Sequence, residues 1–386
     1  MTAAEETWPG LRFPDEEYAA RNRRLRSALA AAELDAVVLS DDRVTWWLTG
    51  FGDVAPIGSA ARPRILVLPA RSEPAFFVHR STLRCVAEMS AVPDVRGYAA
   101  LGAAPVAELS DFLAERDCRR VGFELAGELR PAMAAGDIAA LAERVEEAHD
   151  GSPVVWSVRM VKSKAEVERI RAACQVTTRA YARGLPSLRP GMTERRAAAI
   201  LKSALADEGA DAGWCWVASG RGEFDRIDGV VRERALEAGD LVFVDMGANV
   251  GGYWADFSRA CVLGRATPSM RRLQELVAEV TDHGVRAVVP GTTAGEVARA
   301  VGDAMAERGL EFSSRAGRYG HGLGLSVTEP PNIWVDDGTV IETGMVLTIE
   351  PGTWTQEGMF HCEQDVLVTD AGPEVLSLAP VELTEV

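Results

Sequence analysis

The first part of the chain alternates helical and extended patterns. Residues 14–34 carry apolar side chains at helical spacing, with acidic residues near the start, which predicts a long helix. Four short apolar runs predict strands, and they read DAVVLS, RILVLP, PAFFVH and RVGFEL. Helix-like or turn-rich stretches separate these runs, so the pattern favours a layered α/β domain.

The pattern changes across residues 146–170, where a polar turn with Gly and Pro precedes one predicted strand and then a long amphipathic helix. A chain of 386 residues also exceeds the size at which a single core usually stops growing. We therefore predict two domains, residues 1–155 and 156–386.

The second domain contains a weak internal repeat. The segment PGMT at residues 190–193 opens a predicted helix, and PGTT at residues 290–293 opens another at an offset of 100 residues. A long helix precedes each segment and a strand-rich region follows its helix. Each copy is therefore predicted as helix, helix, strand, strand, which indicates a duplication.

In the first copy, two β-rich runs flank ANVGG, which is a typical hairpin turn. A turn centred between Val250 and Gly251 places Asp245 directly opposite Asp256. Opposed side chains have Cβ atoms about 5 Å apart, and two carboxylates at that distance repel by about 3 kcal/mol at an effective dielectric near 20. We therefore expect a cation between them.

The second copy carries glutamates in the same arrangement. Glu350 and Glu363 are equidistant from a turn centred between Gln356 and Glu357, so they are predicted to face each other. Four carboxylates on two related hairpins need about two divalent cations, and oxygen-rich sites of this kind suit Mn, Fe, Co or Zn more than a closed structural zinc site. His321 lies in the glycine-rich segment GHGLG, where bare backbone lets a metal approach closely, and it is the predicted nitrogen ligand.

Charge and composition narrow the possible partners. The net charge of -16 argues against nucleic acid or an anionic membrane and favours a small-molecule or peptide substrate. Six scattered cysteines are typical of reduced thiols. The N-terminal segment has no apolar run of the signal-peptide kind, and no stretch of about 18 apolar residues occurs, so we predict a cytoplasmic protein.

The ordered set Asp245, Asp256, His321, Glu350 and Glu363 resembles the ligands of the pita-bread metallohydrolases, a family that includes methionine aminopeptidase, aminopeptidase P, prolidase and creatinase. The similarity runs from about residue 160 to the end, and its most specific segments are GDLVFVDMGA, GHGLG, GMVLTIEPG and EQDVLVT. The first 155 residues resemble the creatinase-type N-terminal domain in DAVVLS and WWLTGF. The resemblance implies an α/β N-terminal domain and an α+β pita-bread domain with a pseudo-twofold helix-helix-strand-strand repeat and a curved antiparallel sheet.

The resemblance also implies a site for two metal ions, with manganese expected and Fe, Co or Zn as alternatives. Asp256 and Glu363 would bridge the ions, Asp245 would chelate one of them, and His321 and Glu350 would bind the other. A hydroxide held between the ions would be the nucleophile, and Glu350 would carry a proton to the leaving nitrogen.

Several substrate-side positions depart from the family pattern. Peptidases of this family usually carry histidine where this chain has Asp228 and Thr328, and many prolidases add one where it has Gly317. His361 occupies a position where proline-specific members tend to have arginine. Because it lies two residues before Glu363 on a predicted strand, it should face the metals. Asp228, Thr328 and His361 are thus candidate catalytic or substrate-binding positions, with simple packing as the alternative for His361.

In relatives with this N-terminal domain, a loop of the partner subunit can reach the active site, which implies a homodimer. The corresponding segment makes Trp46, Trp47, Arg62 and Arg64 candidate substrate contacts. The alternative is that the tryptophans belong to the core and the loop faces solvent.

Intact ligands beside altered substrate-side positions predict hydrolysis of a C–N bond, of amide or amidine type, in a small or non-standard substrate. One alternative is a true Xaa-Pro dipeptidase or aminopeptidase. The others are a non-hydrolytic, lyase-like metalloenzyme and a non-catalytic homologue that uses metal to brace its fold.

Overall fold

The computed structural model describes residues 12–52, 61–220, 231–312 and 317–386. The chain divides into two compact units, Met1–Arg159 and Met160–Val386. The boundary predicted near residue 155 falls within Ser152–Arg159, the helix that ends the first unit. Among the described residues, no helix combines the length and the apolar character that crossing a membrane requires.

The first unit is a mixed sheet with helices. Its helices are α1 (Asp15–Ala31), α2 (Asp42–Thr49), α3 (Leu83–Met89), α4 (Val106–Ala114), α5 (Ala135–Ala142) and α6 (Ser152–Arg159). Its strands are β1 (Ala36–Leu39), β2 (Ile65–Pro69), β3 (Ala75–His79), β4 (Asp94–Tyr98), β5 (Arg120–Phe123) and β6 (Glu147–Asp150). They lie in the order β4-β3-β2-β1-β5-β6, so the four apolar runs predicted as strands form β1, β2, β3 and β5.

The core of this unit lies between the sheet and two helices. Phe77 of β3 meets Phe112 of α4 edge to face, with ring centroids 5.7 Å apart. Leu109 of α4 and Leu141 of α5 are fully buried in the same apolar cluster. The α/β layering predicted for the N-terminal domain is therefore observed.

One predicted element is wrong. The run VVWSVR was expected to be a strand, but it forms α6, and the strand β6 precedes it. Pro153 lies in the first turn of α6, where its missing N–H leaves no hydrogen bond unmade. Val154, Val155 and Trp156 are buried. Burial outweighs the weak preference of β-branched residues for strands.

The second unit contains the predicted repeat. Its helices are α7 (Lys164–Gly184), α8 (Glu194–Asp207), α9 (Pro268–Ala287) and α10 (Ala294–Glu307), with a 3-10 turn at Leu185–Ser187. The strands around the first hairpin are β7 (Ala212–Ser219), β8 (Leu241–Val250), β9 (Tyr253–Trp254) and β10 (Phe257–Val262). The remaining strands are β11 (His321–Gly322), β12 (Glu329–Asn332), β13 (Val346–Ile349), β14 (Gly352–Thr355), β15 (Gly358–His361), β16 (Gln364–Thr369), β17 (Gly372–Val375) and β18 (Thr384–Glu385).

The two copies of the repeat use the same local contacts. Thr193 caps α8 and Thr293 caps α10, in each case by accepting a hydrogen bond from a backbone N–H in the first turn. Thr193 also forms an isolated bridge with Ala235, and Thr293 forms the equivalent bridge with Val340. The predicted duplication is therefore confirmed.

The first copy supplies four strands of one five-stranded sheet, to which β18 adds the fifth, and the second copy supplies all five strands of another. The first sheet has the order β18-β10-β8-β7, with β9 paired to β8, and the second has the order β12-β11-β13-β16-β17. β14 and β15 form a separate hairpin. All described pairs in this unit are antiparallel except β10 with β18.

Candidate metal centre

The first hairpin places two aspartates on one face of its sheet. Its turn uses Gly251 and Gly252 as the two central residues, with φ of 56° and 90°, as a two-residue turn of the favoured hairpin type requires. This register sets Asp245 opposite Ser258. The predicted direct pairing of Asp245 with Asp256 is therefore wrong by two residues. Because side chains alternate with a period of two, Asp256 stays on the same face as a diagonal neighbour.

The second hairpin has the predicted register. Ile349 pairs with Gln364, and Gly352 pairs with His361. The positions between these pairs bring Glu350 level with Glu363, although neither lies in a named strand. The strand interruption at Pro351 thus leaves the register unchanged.

Glycines at both flanks of His321 let β11 fit tightly between its neighbours. A Cβ at Gly320 would lie 2.0 Å from the carbonyl oxygen of Thr348, and one at Gly322 would lie 2.1 Å from that of Pro330. The backbone N–H of His321 donates to Thr348 Oγ1 at 3.1 Å. Its ring Nδ1 lies 3.0 Å from the Gly322 carbonyl oxygen, which can only accept, so Nδ1 carries the proton. Nε2 is left as a lone-pair donor for a metal.

The imidazole points into the carboxylate cluster. His321 Nε2 lies 3.4 Å from Asp256 Oδ2 and 3.5 Å from Glu350 Oε1. Ligand atoms of Asp256, His321 and Glu363 all lie within 4.8 Å of one another. Asp245 is near enough for its charge to act on Asp256 and Glu363. The structure therefore brings all five predicted ligands together.

The electrostatics of this cluster fit a cation. Burial raises the pKa of Asp245 to about 7 and that of Glu350 to about 8. Burial, with repulsion from the neighbouring carboxylates, raises the pKa of Asp256 and Glu363 well above their usual values. Burial also lowers the pKa of His321 to about 3, so the ring is neutral at pH 7. Without a cation, these carboxyl groups keep their protons at pH values where exposed Asp and Glu side chains are ionised.

Orphaned oxygen atoms provide a second test of fit. Five buried oxygens of the four predicted carboxylate ligands lack any hydrogen-bond donor among the described residues: Asp245 Oδ1, Asp256 Oδ1, Glu350 Oε1 and both oxygens of Glu363. Buried acceptors normally have partners, because an unmet one costs about 1–3 kcal/mol. One imidazole nitrogen and four carboxylates form a donor set that suits a divalent transition metal such as Mn. The residues present therefore fit the metal centre that the sequence predicts.

Asp365, which the sequence analysis did not select, supports the cluster from behind. Its Oδ2 accepts the backbone N–H of Asp256 at 3.0 Å and the thiol of Cys174 at 3.2 Å. Asp365 is fully buried and lies two residues after Glu363, on the same face by alternation. In the sequence, this spacing of two residues from Glu363 was the pattern that could have indicated Asp365. Asp365 thus fixes the backbone that carries Asp256.

His361 lies beside the cluster, as its position in the sequence predicts. Its Nε2 is 3.9 Å from Glu350 Oε2, and its Nδ1 shares a hydrogen bond of 2.6 Å with Ser258 Oγ. Burial lowers the pKa of His361 to about 4, so the ring is neutral at pH 7. Gly352 makes room for it, since a Cβ there would lie 2.7 Å from His361 Cδ2. A catalytic role for His361 stays a prediction.

An apolar wall adjoins these polar groups. Trp216 pairs across the sheet with Asp245 and so shares its face. Phe243 lies on the same face two positions away and meets the His361 ring edge-on, with centroids 5.4 Å apart. Met359 packs with Phe243, and Trp354 packs against both. Such a wall can bind an apolar side chain beside the carboxylate cluster.

Arg318 is the second residue that the sequence analysis missed. Its Nη1 donates to Asn332 Oδ1, and its Nη2 lies 3.5 Å from Thr328 Oγ1. Its charge lowers the pKa of both Glu350 and His321. The predicted position Thr328 therefore contacts a cation that itself acts on the metal cluster. Its position three residues before His321, the predicted nitrogen ligand, was the signal in the sequence.

The remaining predicted positions lie elsewhere. Asp228 lies outside the described residues. Trp46 and Trp47 are 4% and 1% exposed within the first unit, which favours packing for both. Arg64 forms an ion pair with Asp42 at 2.6 Å, and Arg62 is exposed. Substrate contact by these four residues stays a prediction.

Comparison with known proteins identifies the family. The description "Metallopeptidase family M24" matches residues 168–370, and "Creatinase/Prolidase N-terminal domain" matches residues 21–161. The chain belongs to metallopeptidase family M24. It is therefore a metal-dependent hydrolase with the pita-bread fold, as its ligand pattern implied.

Several M24 relatives match nearly the whole chain. "Probable dipeptidase PepE" of Mycobacterium tuberculosis is 31% identical over 96% of this chain and 97% of its own length. The crystal structure of dipeptidase PepE from Mycobacterium ulcerans is 28% identical, with a TM-score of 0.85 over 97% of this chain and 99% of that one. The structure of an Xaa-Pro dipeptidase from Bacillus anthracis is 25% identical, with a TM-score of 0.83 over 96% of this chain and all of that one.

Proposed function

We propose that this protein is a metal-dependent dipeptidase that acts on Xaa-Pro and related dipeptides. The observation that carries the proposal is the convergence of His321 with four carboxylates, each of which has at least one buried oxygen without a hydrogen-bond donor. Whole-length similarity to proteins named as dipeptidases supports a dipeptide as the substrate. The apolar wall at Trp216 and Phe243 provides a surface for a proline ring or an apolar side chain.

The similarity to dipeptidases favours this function over the non-standard C–N substrate that the altered positions predicted. Thr328 and Asp228 replace imidazoles, yet the relatives named as dipeptidases remain similar along the whole chain. The non-standard substrate is therefore an outcome for the substrate test to reveal, and a dipeptide is the leading expectation.

The chain's own residues provide the chemistry around the metals. We propose two divalent ions, with manganese as the first expectation, held by Asp245, Asp256, His321, Glu350 and Glu363. When bound, such ions lower the pKa of water enough to supply hydroxide at neutral pH, and they polarise a carbonyl.

Glu350 is the proposed proton carrier. Its carboxylate faces both His321 and His361, and burial raises its pKa, which makes the ionised carboxylate a stronger base than an exposed glutamate. It takes the proton from the attacking water and delivers it to the amide nitrogen as the C–N bond breaks. Neutral His361, fixed by Ser258, orients Glu350 from the other side. The apolar wall excludes water from this transfer.

Three finer features are part of the same proposal. The protein acts in the cytoplasm and assembles as a homodimer. Arg62 or Arg64 of one subunit contacts substrate in the other. The homodimer and the substrate contact rest on the family resemblance rather than on contacts within one chain.

A dipeptide panel tests the proposal. Metal-free protein is reconstituted with Mn, and hydrolysis of Xaa-Pro dipeptides, dipeptides without proline and longer peptides is compared. Glu350→Gln should reduce turnover by at least about 100-fold because it removes the proton carrier, while the exposed Glu342→Gln serves as the control. Folded, metal-loaded protein that cleaves no dipeptide would overturn the proposal and would favour the non-standard substrate or the non-catalytic alternative.

A further inference from the structure

Arg259 is a buried arginine on the far side of β10 from the metal centre. It is 3% exposed and pairs with Val244 across the β8–β10 ladder, next to the pair of Ser258 with Asp245. Because side chains alternate between the two faces of a strand, Arg259 lies on the face opposite to Ser258 and Asp245. In the described part of the chain, its hydrogen bonds all go to neutral acceptors.

The guanidinium joins three parts of the chain. Nη1 donates to the carbonyl oxygen of Ser258 at 2.7 Å and to that of Glu363 at 2.8 Å. Nη2 donates to Gln364 Oε1 at 2.9 Å and to the carbonyl oxygen of Ala379 at 2.8 Å, and Nε donates to the same Ala379 oxygen at 2.9 Å. Arg259 therefore fixes the backbone of Ser258 and Glu363 to the segment that follows β17.

Both of these fixed residues serve the metal centre. Glu363 is a proposed ligand, and neither of its carboxylate oxygens has a hydrogen-bond donor among the described residues. It lies between β15 and β16 and in neither strand, so Arg259 supports its carbonyl where the regular ladder is interrupted. Ser258 Oγ lies 2.6 Å from His361 Nδ1 and holds that ring. Groups that orient metal ligands in this way usually contribute to metal affinity.

The charge of Arg259 also suits this place. Two divalent ions would match the charge of the four carboxylate ligands, which leaves Asp365 as a buried acid beside them without a metal of its own. Asp365 is near enough for the charge of Arg259 to act on it. A buried guanidinium that met only neutral groups would be costly, because burial favours charges that have an opposite charge nearby.

We propose that Arg259 is a positioning residue of the metal centre, which holds Glu363 in place as a ligand and ties it to the segment after β17. This inference rests on the proposed function, because it assumes that the five residues bind the metals. A lysine at position 259 would keep the charge, but it presents a single nitrogen in place of the planar fork. It could not reach the Glu363 and Ala379 carbonyls together, so charge and positioning can be separated.

The first test measures metal affinity in Arg259→Lys, Arg259→Gln and two controls. Arg286→Lys is the exposed control. Arg21→Lys is the buried control, because Arg21 is 1% exposed and donates to the Trp47 carbonyl oxygen in the first unit. Each metal-free protein is titrated with Mn against a chromophoric chelator, and its unfolding free energy is measured in urea. Arg259→Lys should weaken Mn binding by about 10-fold and Arg259→Gln by up to about 100-fold, whereas both controls should keep the affinity of wild type.

The second test uses cobalt to report the ligand geometry. Co replaces Mn in each protein, and its visible absorption depends on how the ligands are arranged. The spectrum should change in Arg259→Lys and stay unchanged in Arg21→Lys. With Mn and Ala-Pro, Arg259→Lys should lower kcat by about 10- to 100-fold and leave KM nearly unchanged. Gln364→Ala removes one acceptor of Arg259 and tests the same contacts in a milder form, with Mn binding expected to weaken several-fold.

The outcomes separate this inference from the proposed function. If Arg259→Lys and Gln364→Ala lose only unfolding free energy, as Arg21→Lys should, and keep the Mn affinity and the Co spectrum of wild type, Arg259 is merely structural and the inference is wrong. If wild type binds Mn but cleaves no dipeptide, the proposed function fails, and Mn affinity and the Co spectrum still decide the role of Arg259. Wild type that binds no Mn would overturn both.

Discussion

The metal-free protein should lose stability as the pH rises from about 5 to 8. Burial raises the pKa of Glu350 from 4.5 to about 8, so the folded state holds a proton there that the unfolded chain releases. When the folded state binds more protons, the free energy of unfolding falls as pH rises. A change of this size corresponds to at most about 5 kcal/mol at pH 8, at 1.36 kcal/mol for each pH unit.

Glu350→Gln isolates this contribution. The amide is uncharged at every pH, so metal-free variant and wild type should be similarly stable at pH 5, and the variant should be more stable by a few kcal/mol at pH 8. Buried acids outside the cluster, such as Glu124 of the first unit with its pKa raised to about 8, affect both proteins equally and cancel in the difference. The exposed Glu342→Gln is the matched control.

The assay is urea unfolding of chelator-treated protein at pH 5, 6, 7 and 8, with and without excess Mn. Mn should remove most of the pH dependence of the unfolding free energy of wild type, because bound metal replaces the protons on the carboxylates. It should stabilise Glu350→Gln less. Equal stability of metal-free wild type at pH 5 and pH 8 would contradict this expectation, and so would a difference between the two pH values that Glu350→Gln leaves unchanged.

Two further substitutions test the surroundings of the cluster. Asp365→Asn should weaken metal binding by about 10- to 100-fold, because it disturbs the hydrogen bond that holds the backbone of Asp256. Competition with a chromophoric chelator measures the metal affinity. Unchanged affinity would contradict a supporting role for Asp365. Gly352→Ala should cost about 1–3 kcal/mol in unfolding free energy and lower turnover, because the new Cβ would lie 2.7 Å from His361 Cδ2. Gly136→Ala, which has open space, is its control; equal behaviour of the two alanine variants would contradict the packing argument.

The two hairpins show what spacing alone can predict. For Glu350 and Glu363, symmetry about the turn gave the observed register, because the strands pair evenly on both sides of the turn at Gln356. For Asp245 the turn began one residue later than expected. The choice between adjacent glycine-containing turns depends on backbone angles that spacing does not reveal. The shift of two residues preserved the shared face, and so the site was still predictable.

The supporting residues were harder to predict. Asp365 acts on the backbone of Asp256, 109 positions away in the chain, and no short motif links such distant residues. Arg318 becomes informative only when the β11–β12 ladder sets Asn332 opposite His321. Helix α6 was missed because its apolar pattern fits a buried strand equally well.

The most direct test of the account is the turnover of Ala-Pro as Mn is titrated into metal-free protein. Turnover should be absent without metal and should rise to saturation at about two equivalents, and the variant Asp256→Ala should remain inactive because a proposed metal ligand is lost. Dipeptide hydrolysis that persists after complete metal removal, or that survives in Asp256→Ala, would contradict the claim that these five residues form the catalytic metal centre.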